Sequence, residues 1–248
     1  MQQSAVDAGC EARDFMRNEN LAVISSANPG ARKYLELPFD CNLISYGNNI
    51  VASVREEYIS RVTDYIDRFS VEKCFETPEI YLLDDAFAAE DLKACFMAEY
   101  FLPDSDDVPI IDCDFELHIL DKGEFDCLYT AEWSNALCAK RRELDMLCVG
   151  AYDRKRLIGL AGCSADCETM WQIGIDVLPE YRRRGVASSL TSHLAAEIFK
   201  RGKVPFYCAA WSNISSVRNA IRCGFRPAWV ELTYKSRKFV NDLIGNKK

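Results

Sequence analysis

The sequence predicts an α/β (α+β) protein in two parts, a smaller N-terminal α/β domain over residues 1–110 and a larger domain over 111–248. Three observations lead there. Hydrophobic residues make up 49% of the 248-residue chain, ample for packed cores. The segment Pro103-Asp104-Ser105-Asp106-Asp107-Val108-Pro109 sets two prolines and three acids into an otherwise apolar-rich chain, which marks a boundary near residue 110. Downstream of it, runs of strand and helix periodicity follow in the order strand, helix, three strands, helix, strand, helix, strand.

In the N-terminal part, Ile59, Val62, Ile66 and Phe69 recur at helical spacing within 56–69, and 94–102 reads as a strand with aromatic ends. Asn28-Pro29-Gly30 and Tyr46-Gly47-Asn48-Asn49 read as turns, and the extreme N-terminus reads as weakly structured. In the larger part, a short strand over 115–120 precedes a helix over 122–138 that points Phe125, Leu128, Trp133 and Leu137 inward. Three strands follow over 146–152, 156–163 and 169–177. The segments Asp153-Arg154-Lys155 and Ala165-Asp166-Cys167 between them suit tight antiparallel turns. Val186, Leu190, Leu194 and Ile198 repeat every four positions and predict a helix over 186–201, with Gly202 as its C-terminal cap. A strand over 204–210 leads to a short helix over 213–223, with Ile214, Val217 and Ile221 on its buried face, and 225–234 forms the last strand.

Composition excludes several classes. No apolar run approaches the roughly 20 residues a membrane-spanning helix needs, and the first residues lack a basic region followed by an apolar stretch. A soluble, unsecreted, cytoplasmic protein is expected, without a membrane partner. A net charge of −8 and a pI near 5.0 argue against nucleic-acid binding, which needs clustered cations. The 12 cysteines lie in apolar segments such as Leu147-Cys148-Val149, as suits reduced, buried thiols. Their nearest pairing is Cys163-x-x-x-Cys167 and the histidines are His118 and His193, so no metal site is expected.

One stretch carries chemistry. In Ile175-Asp176-Val177-Leu178-Pro179-Glu180-Tyr181-Arg182-Arg183-Arg184-Gly185-Val186-Ala187-Ser188-Ser189-Leu190 a strand turns into a helix start, where free N–H groups and the positive end of the helix dipole favour an anion. Arg182, Arg183 and Arg184 oppose that dipole, which a bound polyanion explains. The bland alternative leaves them solvated or paired with Glu180 and nearby acids.

The spacing Arg182-x-x-Gly185-x-Ala187, after Val177-x-Pro179-x-Tyr181-Arg182 and before an amphipathic helix, resembles the pyrophosphate-binding motif of the GNAT superfamily of N-acetyltransferases. The run from Asn213-Ile214-Ser215-Ser216 to Cys223-Gly224-Phe225, about 30 residues on, resembles that family's later motif. The resemblance covers about 111–236. It implies a mixed, mostly antiparallel central sheet flanked by helices, acetyl-CoA as cosubstrate without a metal, and transfer of its acyl group to a primary amine. It further implies that the backbone of Ile175, Asp176 and Val177 pairs with the pantetheine arm. Arg182, Arg183, Arg184, Gly185, Val186, Ala187 and Ser188 would cradle the pyrophosphate, and Asn213 and Ser216 would line the far side. The strands over 169–177 and 204–210 would splay apart to admit the thioester, with Gly174 at a close approach of the ligand or, in the bland alternative, at an ordinary bulge.

The match departs from the family at Ala220, seven residues after Asn213, where many members carry a tyrosine that protonates the departing thiolate. Tyr207, Cys208 or water would have to serve instead. An alkyl amine with a pKa near 10 must also lose a proton before attack. Asp176, Glu132 and Glu168 are the candidate bases, each with the alternative of a solvated or paired carboxylate. Among the tryptophans, Trp211 is the preferred acceptor-pocket residue. Three functional readings follow: an N-acetyltransferase, a weak or inactive acyl-CoA-binding sensor, and self-association as a homodimer through 1–110.

Overall fold

A computed structural model describes residues 1–245. The chain divides into two compact units, Met1–Glu99 with the segment from Trp229 onward, and Tyr100–Ala228. This division differs from 1–110 and 111–248, because the last strand leaves the second unit and adds to the sheet of the first.

In the first unit, α1 (Gln2–Ala8) precedes β1 (Leu21–Ile24), β2 (Cys41–Ser45), β3 (Ile50–Val54), α2 (Ile59–Arg68), α3 (Glu79–Ala86) and β4 (Leu92–Pro103). β2 and β3 form a hairpin whose turn places Gly47 at φ +106°, and β1 runs parallel to β3. Every residue of β2 and β3 is buried, so both faces of the hairpin are covered. Cys41, Leu43, Ile50, Ala52 and Val54 pack with Val62 and Ile66 of α2 and Leu83 of α3. The helical spacing read in 56–69 thus does what amphipathicity predicts.

Polar contacts bring in the chain's start. The Ser53 hydroxyl donates to the Ala8 carbonyl at 2.8 Å, and the Asn49 amide donates to the carbonyls of Asp14 and Glu19. The N-terminus is therefore not weakly structured: Ser4, Ala5, Asp7 and Ala8 of α1 are buried. Its anchor is Arg32, whose side chain is 1% exposed. The Arg32 backbone N–H donates to Asp7 Oδ1 at 2.9 Å, Nε to Asp7 Oδ2 at 2.6 Å, and Nη2 to Glu231 Oε1 at 2.6 Å. Glu231 Oε1 also accepts from the Trp229 indole at 2.7 Å. An apolar-periodicity reading passes over this segment, because its order comes from ions paired across 199 positions of sequence.

The second unit contains β5 (Glu116–Asp121), β6 (Asp145–Asp153), β7 (Arg156–Ser164), β8 (Met170–Val177), α4 (Val186–Lys200), β9 (Val204–Ala209) and α5 (Ile214–Arg222). β10 (Phe225–Ser236) then enters the first unit, followed by α6 (Arg237–Gly245). The sheet order is β9-β8-β7-β6-β5, antiparallel except for the parallel β8–β9 pair. The fold is thus mixed α/β with a mostly antiparallel sheet flanked by helices. Val186, Leu190, Leu194 and Ile198 of α4 are 0–1% exposed and pack on Val149, Ala161 and Ile173 of the sheet.

Two expectations are corrected here. Residues 122–138 form no α-helix but a loop with single turns at Asp126–Leu128 and Ala131–Trp133. Phe125, Trp133 and Leu137 are nevertheless buried. The N–H groups of Asn135, Ala136 and Cys138 go to the carboxylates of Asp176 and Asp145 rather than to carbonyls one turn back. On α5, Ile214 and Ile221 are exposed; Ala220, at 0% exposure, with half-buried Val217, faces the core. Asn219 and Cys223 on the same side of α5 bond to Ser188 and Thr191 of α4, which turns this face inward.

Among the described residues no helix is long and apolar enough to cross a membrane, and no group of three His, Cys, Asp or Glu is placed to hold a metal. All 12 cysteines are free thiols, of which Cys127 is exposed. Burial pushes the Cys163 thiol up to about 12 and raises that of Cys148 as well. Brief iodoacetamide treatment of the native protein near pH 7.5 is expected to alkylate Cys127 well before Cys148 or Cys163, as read by peptide mass spectrometry. Arg32→Ala strands two buried carboxylates and is expected to cost about 3–5 kcal/mol of stability in urea unfolding.

Candidate functional site

β8 and β9 share register from Met170↔Val204 to Ile173↔Tyr207 and no further. Beyond that point β8 continues to Val177 and β9 to Ala209, so the two strands part. Ile175, Asp176 and Val177 remain paired to β7 on one side and leave their β9-facing edge without a strand partner. That edge offers backbone donors and acceptors to an extended ligand chain.

A turn at Pro179–Tyr181 leads from β8 to α4, through Arg183 at φ +60° and Gly185 at φ +81°. Glycine is needed at 185 because the chain turns into the helix through the left-handed region. A Cβ there would meet nothing within 4 Å, so the space above the helix start is open. The first backbone bond of α4 is Ser189 N–H to the Gly185 carbonyl at 3.0 Å. No side chain caps the helix, and among the described residues no acceptor bonds to the N–H groups of Val186, Ala187 or Ser188. Those donors and the dipole behind them make the start of this 15-residue helix electropositive.

The three arginines add to that field. Arg182 is exposed and donates from Nε to the Val177 carbonyl at 3.1 Å. Arg184 stacks its guanidinium over Phe115 at 4.5 Å and Tyr181 at 5.5 Å. Arg183 points from a left-handed backbone position and is exposed. None of the three forms an ion pair among the described residues, and Glu180 pairs instead with Arg156 at 2.7 Å. The bland reading of these arginines as partners of Glu180 therefore does not hold.

Asn213 caps α5, its side-chain oxygen accepting from Ser216 N–H at 3.3 Å and from the Ser215 hydroxyl at 3.0 Å. Ser216 Oγ lies 2.8 Å from the Tyr207 hydroxyl, on the last residue of β9 still in register with β8. Burial pushes the Tyr207 hydroxyl above the usual tyrosine range, against the opposing effect of its bonds to Ser216 and Asn219. Ser188 is engaged internally, donating its hydroxyl to Asn219 at 2.9 Å, while Asn219 donates to Thr191 at 2.8 Å. The structure thus brings Tyr207, Asn213 and Ser216 to the parting of the strands and leaves Ser188 its backbone N–H alone.

The opposite face of the sheet is covered by the 134–138 loop. Asp176 accepts three bonds from it: Asn135 N–H at 2.8 Å, the Asn135 side-chain amide at 2.6 Å, and Ala136 N–H at 3.0 Å. A Cβ at Gly174 would lie 1.8 Å from the Asn135 carbonyl oxygen, and one at Gly162 would lie 2.2 Å from that of Ala136. The close approach read at Gly174 is therefore made by the chain's own loop. Asp176 thus holds that loop with both oxygens, with three of its roughly four acceptor positions taken. Glu132 is exposed on the turn before this loop. Glu168 is exposed at the paired end of β8, its carbonyl taken by Lys203, with all of β8 between it and the parting of the strands. Trp211 is 68% exposed just beyond β9, whereas Trp133, Trp171 and Trp229 are buried.

Asn135 and Ala136 escaped sequence reasoning. The signal for them was two glycines in strands, which the structure shows to be register partners on adjacent strands, Gly162↔Gly174.

Residues 112–225 match the model of the acetyltransferase (GNAT) family. Solved structures similar to the chain include a GNAT-family protein from Novosphingobium aromaticivorans, 24% identical, covering 58% of this chain and 66% of its own length with a TM-score of 0.47. A GCN5-related N-acetyltransferase from Sphaerobacter thermophilus is 12% identical and covers 75% of this chain and 71% of its own, with a TM-score of 0.49. The aminoglycoside N-acetyltransferase AAC(6')-Iy in complex with CoA is 19% identical and covers 48% and 91%, with a TM-score of 0.37. The chain thus spans just under two thirds of the length of the first of these. No curated protein matches it. The parting strands, the open helix start and its three arginines thus all lie within residues 112–225, the stretch that matches the acetyltransferase (GNAT) family model.

Proposed function

We propose that this protein transfers an acyl group from the thioester of acetyl-CoA to a primary amine. The observation that carries the proposal is the start of α4, which among the described residues has three backbone N–H groups with no acceptor, an open glycine turn, and three arginines without acidic partners. Those donors suit a pyrophosphate, and the open edge of Ile175, Asp176 and Val177 suits an amide-bearing arm. The residues present therefore fit the cosubstrate. CoA, when bound, would supply the acyl group as an activated thioester.

The chain's own residues have the remaining tasks. Arg182, Arg183 and Arg184 neutralise the phosphates, and the N–H groups of Val186, Ala187 and Ser188 orient them. The gap beyond Ile173 and Tyr207 would receive the reacting carbonyl, and positioning of two substrates there would lower the barrier. Tyr207, which burial keeps protonated, and its partner Ser216 lie where a departing sulfur needs a proton, in place of the side chain absent at Ala220. With Asp176 engaged in the loop, the amine's proton leaves through water rather than to that carboxylate. Twelve free cysteines suit the reducing interior of a cell, and we place the reaction in the cytoplasm.

A second reading, an acyl-CoA-binding module with little or no turnover, is favoured by the core position of Ala220 and the engagement of Asp176. Calorimetric titration with acetyl-CoA and CoA tests what the two readings share. We expect a Kd on the order of micromolar, weakened by roughly tenfold or more in Arg182→Ala and in Gly185→Gln. Absence of binding by the intact protein would end both readings. Thiol release with a panel of primary amines then separates them: release above the rate without amine supports transfer, and binding without release supports the module.

A further inference from the structure

We infer that the Asp176-tethered loop limits the acyl group this protein accepts to a short one, making Asp176, Asn135 and Gly174 determinants of acyl length. The inference rests on the acyl-CoA reading above and adds to it the residues that limit the length of the acyl group.

The argument starts at the parting of the strands. Ile173 and Tyr207 are the last residues in register, so a group entering from the α4 side passes between Gly174 on β8 and Cys208 on β9. Side chains alternate across a strand. Ile173 packs in the core beneath α4, and the missing side chain of Gly174 would point to the opposite face. There the Asn135 carbonyl occupies the place of a Cβ, 1.8 Å from where one would be built, with the Ala136 Cα at 3.4 Å. A group emerging on that face beside Gly174 meets polypeptide backbone instead of an apolar channel.

The loop is held firmly. Three hydrogen bonds to the two oxygens of Asp176 fix Asn135 and Ala136, and Trp133, Ala136 and Leu137 are buried at 5%, 5% and 3% exposure in one cluster with Phe125 and Leu160. Gly162 admits the Ala136 carbonyl on β7 as Gly174 admits that of Asn135 on β8. Moving the loop would therefore break the charge-assisted bonds and open buried apolar surface together. A wall fixed in this way leaves room for the methyl of an acetyl group and clashes with a longer chain. Asp176 is thus a positioning residue. It lies on the cofactor strand, but its carboxylate acts on the loop.

Calorimetric titration with CoA, acetyl-CoA, butyryl-CoA and hexanoyl-CoA tests this without requiring turnover or a known amine. For the intact protein we expect affinity to fall roughly tenfold or more from acetyl-CoA to hexanoyl-CoA, which is four methylenes longer, since even one excess methylene in a closed pocket provides that discrimination. In Asp176→Ala the loop loses its tether, and this variant is expected to bring hexanoyl-CoA to within about threefold of acetyl-CoA. Each affinity is taken relative to that for CoA in the same variant, and circular dichroism identifies folded variants. Asn135→Ala, which removes one side-chain bond and leaves the backbone bonds, should show a smaller change in the same direction. Equal affinity of the intact protein for all three acyl-CoAs, or an unchanged ratio in the folded variants, would overturn the inference while leaving the acyl-CoA reading in place. Failure to bind CoA itself would remove that reading and this one together.

Discussion

Two parallel strands, β8 and β9, stop sharing register after Ile173 and Tyr207, and the candidate site depends on that separation. Backbone N–H and C=O groups need partners, so a strand edge released from its neighbour is a place where another chain or a ligand is taken up. On one face of the opening, the turn after β8 delivers the uncapped start of α4. On the other face, the 134–138 loop seals the sheet through Asp176. The site thus consists of one edge that offers hydrogen bonds, one helix end that offers positive potential, and one wall of backbone.

The electrostatics divide along the same line. The helix start collects three arginines with no acidic partner among the described residues, although the protein as a whole carries a net charge of −8. Cations near a helix N-terminus raise the field an anion experiences there, and the acidic remainder does not cancel a local cluster at contact distance. In the first unit the balance is reversed. One buried guanidinium, Arg32, serves two buried carboxylates, Asp7 and Glu231, each bonded within 2.6 Å, and there the charge organises the chain rather than a ligand.

Several assignments made on residue type changed meaning once neighbours were known. Asp176 has the chemistry of a base, yet both its oxygens accept bonds from loop amides. Gly174 marks a close approach, and the approaching group is the chain's own carbonyl. Phe125, Trp133 and Leu137 are buried as their spacing implied, but on a loop, because the carboxylates of Asp145 and Asp176 take N–H groups that the helical bonds would need. Tyr207 reaches the opening because it holds the last paired position of β9, which no pattern in the strand's own residues reveals.

What the sequence by itself determined was the set of local, periodic and backbone-dictated features. The strand and helix order from β6 onward, the α4 stripe of Val186, Leu190, Leu194 and Ile198, and the arginine cluster beside Gly185 all follow from nearest neighbours along the chain. Only the tertiary structure decided the long-range pairings: Arg32 with Glu231, Asp176 with Asn135, the return of β10 to the first unit, and the residue at which β8 and β9 separate. The physical reason is that periodicity records which side of an element avoids water, whereas a hydrogen bond between distant segments depends on coordinates that no single segment encodes.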